Sequence, residues 1–226
     1  MPQILQTFWF GDPEAIRVAN RKPYQLMLAK ELGFSIPQTL VTNSPDAAKQ
    51  FAESLDSDIA IKPMWAAGIV MEEEGVERGV SIYTKRLSKA EFLGNLPSVK
   101  NCPLILQSYV EKDFELRITV VGEKVFACAI RSQASEKTKE DWRRYDLPNT
   151  PHSEFELPSE VRQKCIDLVK RLGLSFGCID MIVTPKGEYI FLEINPNGQW
   201  LWIEHLTGMP ISQAIADLLT DPPNGI

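Results

Sequence analysis

The chain has 226 residues, of which 44% are hydrophobic and 24% are charged. That composition argues against a disordered chain and allows one large domain or two small ones, each with its own core. The formal net charge of -6 argues against sequence-independent binding to nucleic acid or to an anionic membrane, because both need a broad basic surface.

The cysteines and the first residues indicate the compartment. The four cysteines form no CxxC pair and stand among apolar neighbours, so we expect reduced thiols in the core; they are Cys102, Cys128, Cys165 and Cys178. With two histidines in the chain, a zinc site is not expected. Residues 1–13 lack a basic lead before a long apolar run, which argues against a secretory signal or membrane span. The sequence therefore predicts a cytoplasmic protein.

Helices and strands alternate in the first half of the chain. Apolar residues at helical spacing predict a helix over residues 20–32 that ends at Gly33. A second helix begins after the N-cap Ser44 and runs to about residue 54, and a third begins at the capping box of Ser88 and Glu91. Short strands are predicted between them, at residues 38–42, 59–62, 80–84 and 104–107.

Residues 71–79 interrupt this alternation. They carry four glutamates, an arginine and two glycines with little apolar content, which predicts an exposed loop. Because few apolar contacts would hold it, we expect this loop to be mobile without ligand and to become ordered over phosphates or substrate.

The second half is predicted to contain two strand pairs and two helices. The strands at residues 114–121 and 125–131 are joined through Gly122 as a hairpin. Proline and glycine at residues 185–187 predict a β-turn between two further strands. Those strands are predicted at residues 177–184 and 189–195, and the helices at residues 161–172 and 211–219.

Two of these strands carry acids where hydrophobic residues would be expected. Glu193 and Asn195 are two residues apart and therefore share one face of a strand. If the turn has two central residues, Asp180 faces Phe191 and lies on that same face, diagonal to Glu193. Two carboxylates and an amide oxygen on a mostly apolar sheet form an all-oxygen set of the kind that magnesium prefers, with manganese as a possible substitute. The alternative is a structural acid pair held by arginines.

Several cations stand in apolar surroundings. Lys62 ends a predicted strand, where a lysine can pair with phosphate oxygens. Lys22 opens the first helix, where a cation opposes the helix dipole unless an anion lies nearby; a solvated surface lysine is the alternative. Glu115 and Arg117 share one strand face, and a simple cross-strand ion pair explains them equally well. The order of these residues along the chain, together with the acidic strand face, is a more specific sign of function than any one of the residues.

That order resembles the ATP-grasp superfamily, and within it the peptide maturases that make microviridins and related graspetides. The resemblance covers residues 9–219. It is carried by Asn20-Arg-Lys22-Pro-Tyr-Gln-Leu, Gly33-Phe-Ser-Ile-Pro, Ile-Ala-Ile-Lys62-Pro, Gln107-Ser-Tyr-Val110, Glu115-Leu-Arg117, Phe176-Gly-Cys-Ile-Asp180 and Phe-Leu-Glu193-Ile-Asn195-Pro-Asn-Gly198-Gln-Trp200. The last segment, extended to Glu204, is especially similar to the maturases.

The resemblance implies a fold and a division of the chain. The fold is α+β, an ATP-grasp fold of two lobes with the nucleotide between them. Residues 1–19 would be a remnant or linker, residues 20–107 the central lobe and residues 108–226 the catalytic lobe.

The resemblance also implies a role for individual residues. The ATP phosphates would contact Lys22 and Lys62, and magnesium would be held by Asp180, Glu193 and Asn195. Adenine would lie against the linker at Gln107, Tyr109 and Val110, and ribose against Glu111 or Asp113. The γ-phosphate or the incoming carboxylate would be steadied by Arg117, together with Arg131 and Arg144.

The implied activity is ATP-dependent ligation of a carboxylate. The carboxylate would form an acylphosphate, which a hydroxyl or amine converts into an ester or amide. In a maturase both groups belong to one ribosomal precursor peptide, so the product is a macrocycle; a homodimer is possible. The alternatives are an amino-acid ligase that acts on a protein terminus or small molecule, and a non-catalytic nucleotide- or peptide-binding module.

Two features depart from the superfamily pattern. Residues 65–75 are acidic with scattered glycines, where many ATP-grasp enzymes have a glycine-rich loop whose amides hold the phosphates. The resemblance also begins near residue 1, which leaves too few residues for the additional amino-terminal domain expected before it. We therefore expect nucleotide binding with slow or undetectable peptide modification by this chain alone.

Overall fold

The fold consists of antiparallel sheets with helices packed against them, seen in a computed structural model. The structure describes residues 8–64, 68–73, 76–81, 83–144 and 146–222, with the backbone alone at residues 68–81. The helices are α1 Pro13–Ala19, α2 Lys22–Glu31, α3 Pro45–Ser54, α4 Lys89–Gly94, α5 Ser159–Arg171, α6 Leu201–Thr207 and α7 Ile211–Thr220. The strands are β1 Thr39–Thr42, β2 Ile59–Pro63, β3 Gly68–Glu73, β4 Val76–Ser81, β5 Lys85–Leu87, β6 Leu104–Ser108, β7 Phe114–Val121, β8 Lys124–Ile130, β9 His152–Glu154, β10 Phe176–Val183 and β11 Tyr189–Asn195.

The chain divides into two compact units, each assembled from distant parts of the sequence. The five-stranded unit comprises the described residues of Met1–Ile36, Lys112–Ala134 and Leu147–Ile226. The four-stranded unit comprises those of Pro37–Glu111 and Ser135–Asp146. This division differs from the contiguous lobes 20–107 and 108–226 that the sequence suggested, since α1 and α2 belong with the carboxyl-terminal strands.

Gln25 explains why α2 belongs with those strands. Its buried side-chain amide nitrogen donates to the carbonyl oxygens of Ala19, at 2.6 Å, and Ile194, at 2.8 Å. Its amide oxygen accepts from the N–H of Ile194 at 3.0 Å. One helix side chain thus satisfies a backbone donor and acceptor of β11, which is an edge strand and would otherwise leave them unpaired.

The five-stranded sheet has the strand order β11-β10-β7-β8-β9. Alternate residues point to opposite faces. One face is apolar and packs against α1, α2 and α5, with Leu116, Ile118 and Ile179 fully buried. The opposite face, called the charged face below, carries Glu115, Arg117, Thr119, Cys128, Cys178, Asp180, Glu193 and Asn195.

The connection between β10 and β11 is longer than the predicted two-residue turn. The Thr184 N–H donates to the Glu188 carbonyl at 3.0 Å, and Gly187 adopts φ 78° in a three-residue loop. A loop of that length alone would move Glu193 to the face opposite Asp180. A β-bulge between Asp180 and Met181 shifts the register by one more residue and pairs Asp180 directly with Glu193. The predicted pairing of Asp180 with Phe191 is wrong, but the two acids do share a face.

The four-stranded sheet has the order β1-β6-β2-β5 and packs its apolar side against α3 and α4, with Ile59, Phe92 and Leu106 at the centre. The Ser88 capping box is confirmed, with both reciprocal bonds to Glu91 present. Residues 135–146 join this unit far from their neighbours in sequence. The buried Asp141 carboxylate accepts from the Thr84 N–H at 3.2 Å, a contact that the sequence does not reveal.

Residues 71–73 and 76–79 lie in two paired strands, so the predicted loop is wrong for the residues that the structure describes. β3 pairs with β4 in an antiparallel register that sets Ile69 opposite Val80 and Met71 opposite Arg78. The β-branched residues Ile69, Val70 and Val80 flank the acidic segment and supply the strand propensity that the segment itself lacks. Residues 74 and 75, and the stretch 65–67 of the predicted phosphate loop, lie outside the described residues.

Smaller features complete the comparison with the sequence. Cys128, Cys165 and Cys178 are buried free thiols as expected, whereas Cys102 is exposed just before β6. Burial raises the pKa of Cys128 to about 11 and that of Cys165 to about 12, so both remain protonated.

Strand β9 was not predicted from the sequence. Over the described part of the chain, no helix has the length and apolar character that crossing a membrane requires.

Replacement of Gln25 by leucine should destabilise the five-stranded unit. The change keeps the side-chain size but leaves the Ile194 N–H and carbonyl without their buried partner, which costs about 2 kcal/mol. Urea unfolding of the ligand-free protein measures this loss. Gln163→Leu, an exposed glutamine on α5, is the matched control and should stay within about 0.5 kcal/mol. Equal stability of the two variants would show that the Gln25 bonds do not hold α2 to β11.

Candidate functional site

The charged face of the five-stranded sheet carries four of the predicted site residues. Arg117 pairs with Asp180 across β7 and β10, and Asp180 pairs with Glu193 across β10 and β11. Asn195 lies two residues further along β11, opposite Cys178. The three predicted metal ligands and one predicted arginine therefore lie on neighbouring strands of one face.

Asp180 is held by Arg117. Nη1 of Arg117 lies 2.9 Å from each of the two Asp180 carboxylate oxygens, and the side chains are 5% and 9% exposed. Burial alone lowers the pKa of a guanidinium, but the Asp180 carboxylate more than offsets that effect and raises the pKa of Arg117 above its usual value. Arg117 is therefore a permanent cation on this face, paired with Asp180 across the strands.

Glu193 is held by Lys22. The Lys22 ammonium at the start of α2 lies 3.1 Å from Oε2 of Glu193, and the side chains are 17% and 18% exposed. Lys22 is thus not a solvated surface lysine. An anion lies near the helix start, as its unfavourable position relative to the helix dipole suggested.

The oxygen ligands fit a divalent cation. Asp180 is buried, Glu193 half-buried and Asn195 exposed, so the oxygen-bearing side chains extend from the interior of the face to solvent. Magnesium prefers such ligands and keeps several of its waters. Within the described ranges, no three His, Cys, Asp or Glu side chains lie close enough together to hold a metal. A metal here would therefore rely on the Asn195 amide oxygen as well as on the two carboxylates. In the structure the carboxylates are paired with one arginine and one lysine, which partly matches the structural alternative.

A second buried ion pair lies at the start of β7. The Lys112 ammonium lies 2.5 Å from Oε1 of Glu115, with side chains 4% and 7% exposed. Glu115 therefore pairs with a lysine three residues earlier in the chain. Arg117 pairs across the strands with Asp180, which it faces directly, so the cross-strand ion pair given as the alternative is present for Arg117.

In the four-stranded unit, Arg86 holds the segment predicted to lie against adenine. Its guanidinium lies 4.0 Å from the Tyr109 ring centroid, donates to the Asp58 carboxylate at 2.7 Å and lies 3.2 Å from the Glu111 carboxylate. The bond to Asp58 raises the pKa of Arg86. The Tyr109 N–H donates to the Asp58 carbonyl at 2.8 Å. A backbone contact from Tyr109 to adenine would therefore use its carbonyl oxygen, and Val110 next to it is half-buried.

Gln107 and Lys62 lie on adjacent strands of the same unit. Gln107 is buried and its amide donates to the Thr39 hydroxyl at 3.0 Å, which ties this group to the sheet. Lys62 is half-buried near the end of β2, in register with Ile105. Its position at a strand end agrees with the prediction.

The remaining predicted residues are exposed. In the five-stranded unit, Arg131 lies 4.2 Å from the Phe114 ring centroid and 3.8 Å from Asp113, with 46% of its side chain exposed. In the four-stranded unit, Arg144 lies 3.3 Å from Glu140. Both guanidiniums can therefore be reached by an anion from solvent, in contrast to Arg117.

Sequence reasoning missed two contributors to the charged face. Nη2 of Arg117 donates to the Gln199 carbonyl at 3.3 Å. A Cβ added to Gly198 would lie 2.7 Å from that same Nη2, so the turn after β11 packs directly on the guanidinium. The Asn-Gly pair at residues 197–198 is a turn signal that could have pointed to this segment.

Residues 19–219 match the RimK-like ATP-grasp domain. The chain is 22% identical over 215 residues to a probable alpha-L-glutamate ligase of Haemophilus influenzae, and the aligned part is 94% of this chain and 67% of that protein.

Two solved structures are more similar. A RiPP-associated ATP-grasp ligase of Chryseobacterium gregarium, in complex with ADP and a leader and core peptide, is 38% identical with a TM-score of 0.85 over 95% of this chain. The macrocyclase MdnC of Microcystis aeruginosa, bound with precursor peptide MdnA, is 37% identical with a TM-score of 0.82 over 96% of this chain. This chain spans 63% of the first and 66% of the second.

Removal of one partner from the Arg117–Asp180 pair should destabilise the ligand-free protein strongly. Arg117→Met leaves a buried carboxylate and Asp180→Asn leaves a buried guanidinium, and each change costs about 3–5 kcal/mol. Urea unfolding of both single variants and the double variant gives the coupling energy. The double variant should lose less than the sum of the single losses.

The exposed pair of Lys124 and Asp217 provides a matched control. Its atoms are 2.7 Å apart, but the side chains are 57% and 47% exposed. The same cycle with Lys124→Met and Asp217→Asn should show little coupling, because water screens exposed charges. Similar coupling for both pairs would contradict the buried position of Arg117 and Asp180.

Proposed function

Because the chain belongs to the RimK-like ATP-grasp domain family, we propose that it is the nucleotide-binding and catalytic part of an ATP-dependent carboxylate ligase. The single observation that carries the proposal is the charged face, where Asp180, Glu193 and Asn195 present oxygen ligands beside two cations. A buried face of this kind is costly for folding, and such residues are retained where a site needs them.

Magnesium would be held by the three oxygen-bearing side chains of β10 and β11, with manganese as a possible substitute. The metal supplies positive charge that stabilises phosphoryl oxygens. Lys22 and Lys62 are proposed as phosphate ligands, each a cation at the end of a helix or strand. Adenine is proposed to lie against Tyr109 and Val110 near Gln107, and ribose against Glu111 or Asp113.

The proposed reaction has two steps. A carboxylate oxygen of the substrate attacks the γ-phosphorus of ATP, the bond to the β–γ bridging oxygen breaks, and ADP leaves with that electron pair. A hydroxyl or amine then attacks the acyl carbon, loses its proton and expels phosphate. Arg131 and Arg144 are exposed guanidiniums that could orient the carboxylate and balance charge on the moving phosphoryl group. The product is an ester or an amide.

The substrate is proposed to be a ribosomal precursor peptide whose own side chains supply both reacting groups. Two relatives at 37% and 38% identity support this choice, since both were solved with such peptides. The relative described as a glutamate ligase is 22% identical. If the protein modifies no peptide, a free amino acid becomes the proposed substrate. A binding module without catalysis is disfavoured, because it has no need of the oxygen set. We propose that the protein acts in the cytoplasm and binds neither nucleic acid nor a membrane. A homodimer is compatible with this proposal.

The proposal predicts magnesium-dependent binding of ADP or ATP. Glu193→Gln should weaken nucleotide affinity at least about tenfold at limiting magnesium, because one carboxylate ligand becomes neutral. Titration calorimetry with and without a chelator measures the effect, and Glu188→Gln on the same hairpin is the matched control. Affinity that neither the chelator nor Glu193→Gln changes would contradict the metal assignment.

Peptide modification is the test of the activity itself. Incubated with ATP, magnesium and a candidate precursor peptide, the protein should remove one water from the peptide for each ester or amide formed, because attack on the acylphosphate joins two side chains of the peptide. Mass spectrometry follows the loss of water from the peptide. Absence of dehydration in a peptide that binds together with ATP would contradict the proposed peptide substrate. Ligation of free glutamate with no dehydrated peptide would favour the amino-acid ligase.

A further inference from the structure

Arg117 is enclosed on three sides within the charged face. Nη1 donates to both carboxylate oxygens of Asp180 at 2.9 Å, and Nη2 donates to the Gln199 carbonyl at 3.3 Å. The third side is closed by Gly198, whose backbone lies against Nη2. The guanidinium therefore has fixed partners on β10 and on the turn that follows β11.

Only glycine allows the turn to approach this closely. An added Cβ at residue 198 would lie 2.7 Å from Nη2 of Arg117, 2.7 Å from Cβ of Cys178 and 3.0 Å from Sγ of Cys178. These distances are too short for any side chain unless the guanidinium or the strand moves. The turn is itself held in place, since the Gly198 N–H donates to the Asn195 carbonyl at 3.2 Å. Gly198 thus packs directly against the guanidinium of Arg117 and limits where it can lie.

Release of Arg117 from Asp180 would be costly. It would leave a buried carboxylate without its cation and would open space beneath Gly198. A guanidinium can contact a phosphate directly only if its N–H groups are accessible to a ligand. In the five-stranded unit the side chain of Arg131 is 46% exposed, whereas that of Arg117 is 5% exposed. The geometry favours a guanidinium that stays in place.

We propose that Arg117 is a positioning residue that orients the Asp180 carboxylate toward a metal, and that Gly198 sets Arg117 for this task. The inference rests on the proposed function, because it assigns Asp180 to a metal. Arg117 then acts on the nucleotide through Asp180, and it makes no contact with the γ-phosphate.

The test compares two nucleotides over a range of magnesium concentrations. Titration calorimetry with ADP and with a non-hydrolysable ATP analogue is carried out on the wild type, Arg117→Met and Gly198→Ala. Both variants should need about tenfold more magnesium to reach half-maximal nucleotide affinity. This is the effect expected when a residue that orients a metal ligand is lost. The factor should be equal for the two nucleotides, and saturating magnesium should restore affinity.

Gly177→Ala is the matched control. An added Cβ there would lie 2.8 Å from Cδ1 of Ile194, on the apolar face of the same strand, β10. This variant should lose stability without a change in the magnesium requirement.

Arg117→Lys replaces Arg117→Met in the test if Arg117→Met fails to fold. It keeps a cation for phosphate but cannot hold Asp180 and Gln199 together, so its magnesium requirement should stay raised.

Three results would overturn the inference. The first is a loss confined to the ATP analogue at saturating magnesium, which would show direct contact of Arg117 with the γ-phosphate. The second is full recovery in Arg117→Lys, and the third is an unchanged magnesium requirement in Gly198→Ala. A wild type that binds neither nucleotide with magnesium would instead contradict the proposed function, and the inference would fall with it.

Discussion

The constraint on which the charged face depends is the burial of carboxylates inside a sheet. Asp180 and Glu193 stand directly opposite each other on neighbouring strands, where two negative charges repel and lose hydration. Arg117 and Lys22 balance them at 2.9 Å and 3.1 Å. The position of α2, the register of β7 against β10 and the turn over Arg117 all serve this balance.

Much of this arrangement could be predicted from the sequence, because it follows from short-range patterns. The helix periodicity, the Ser88 cap and the i, i+2 spacing of Glu193 and Asn195 each involve residues that are close in the chain. The pairing of Asp180 with Glu193 was not predictable in detail. It depends on a loop one residue longer than assumed and on a bulge. Each alone reverses the face of Glu193, and together they restore it.

The division into units could not be predicted for a different reason. It is set by contacts between residues far apart in the chain, such as Gln25 with Ile194 and Asp141 with Thr84. A buried glutamine in a helix resembles any other polar residue until its partner is known. The enclosure of Arg117 by Gly198 is of the same kind. The sequence marks a turn there, but only the packing reveals what the turn covers.

The ion pairs that hold Asp180 and Glu193 on the charged face differ in exposure, and this difference separates their tasks. Arg117 and Asp180 are 5% and 9% exposed, whereas Lys22 and Glu193 are 17% and 18% exposed. Water and ligands therefore reach the second pair more easily, and water screens the attraction between its charges more than in the first pair. Under the proposed function, Glu193 and Asn195 would be the more accessible metal ligands and Asp180 the more buried one. The Lys22 ammonium would then be available to phosphate oxygens. Asp180 would keep its cation, because Arg117 has no comparable route to solvent.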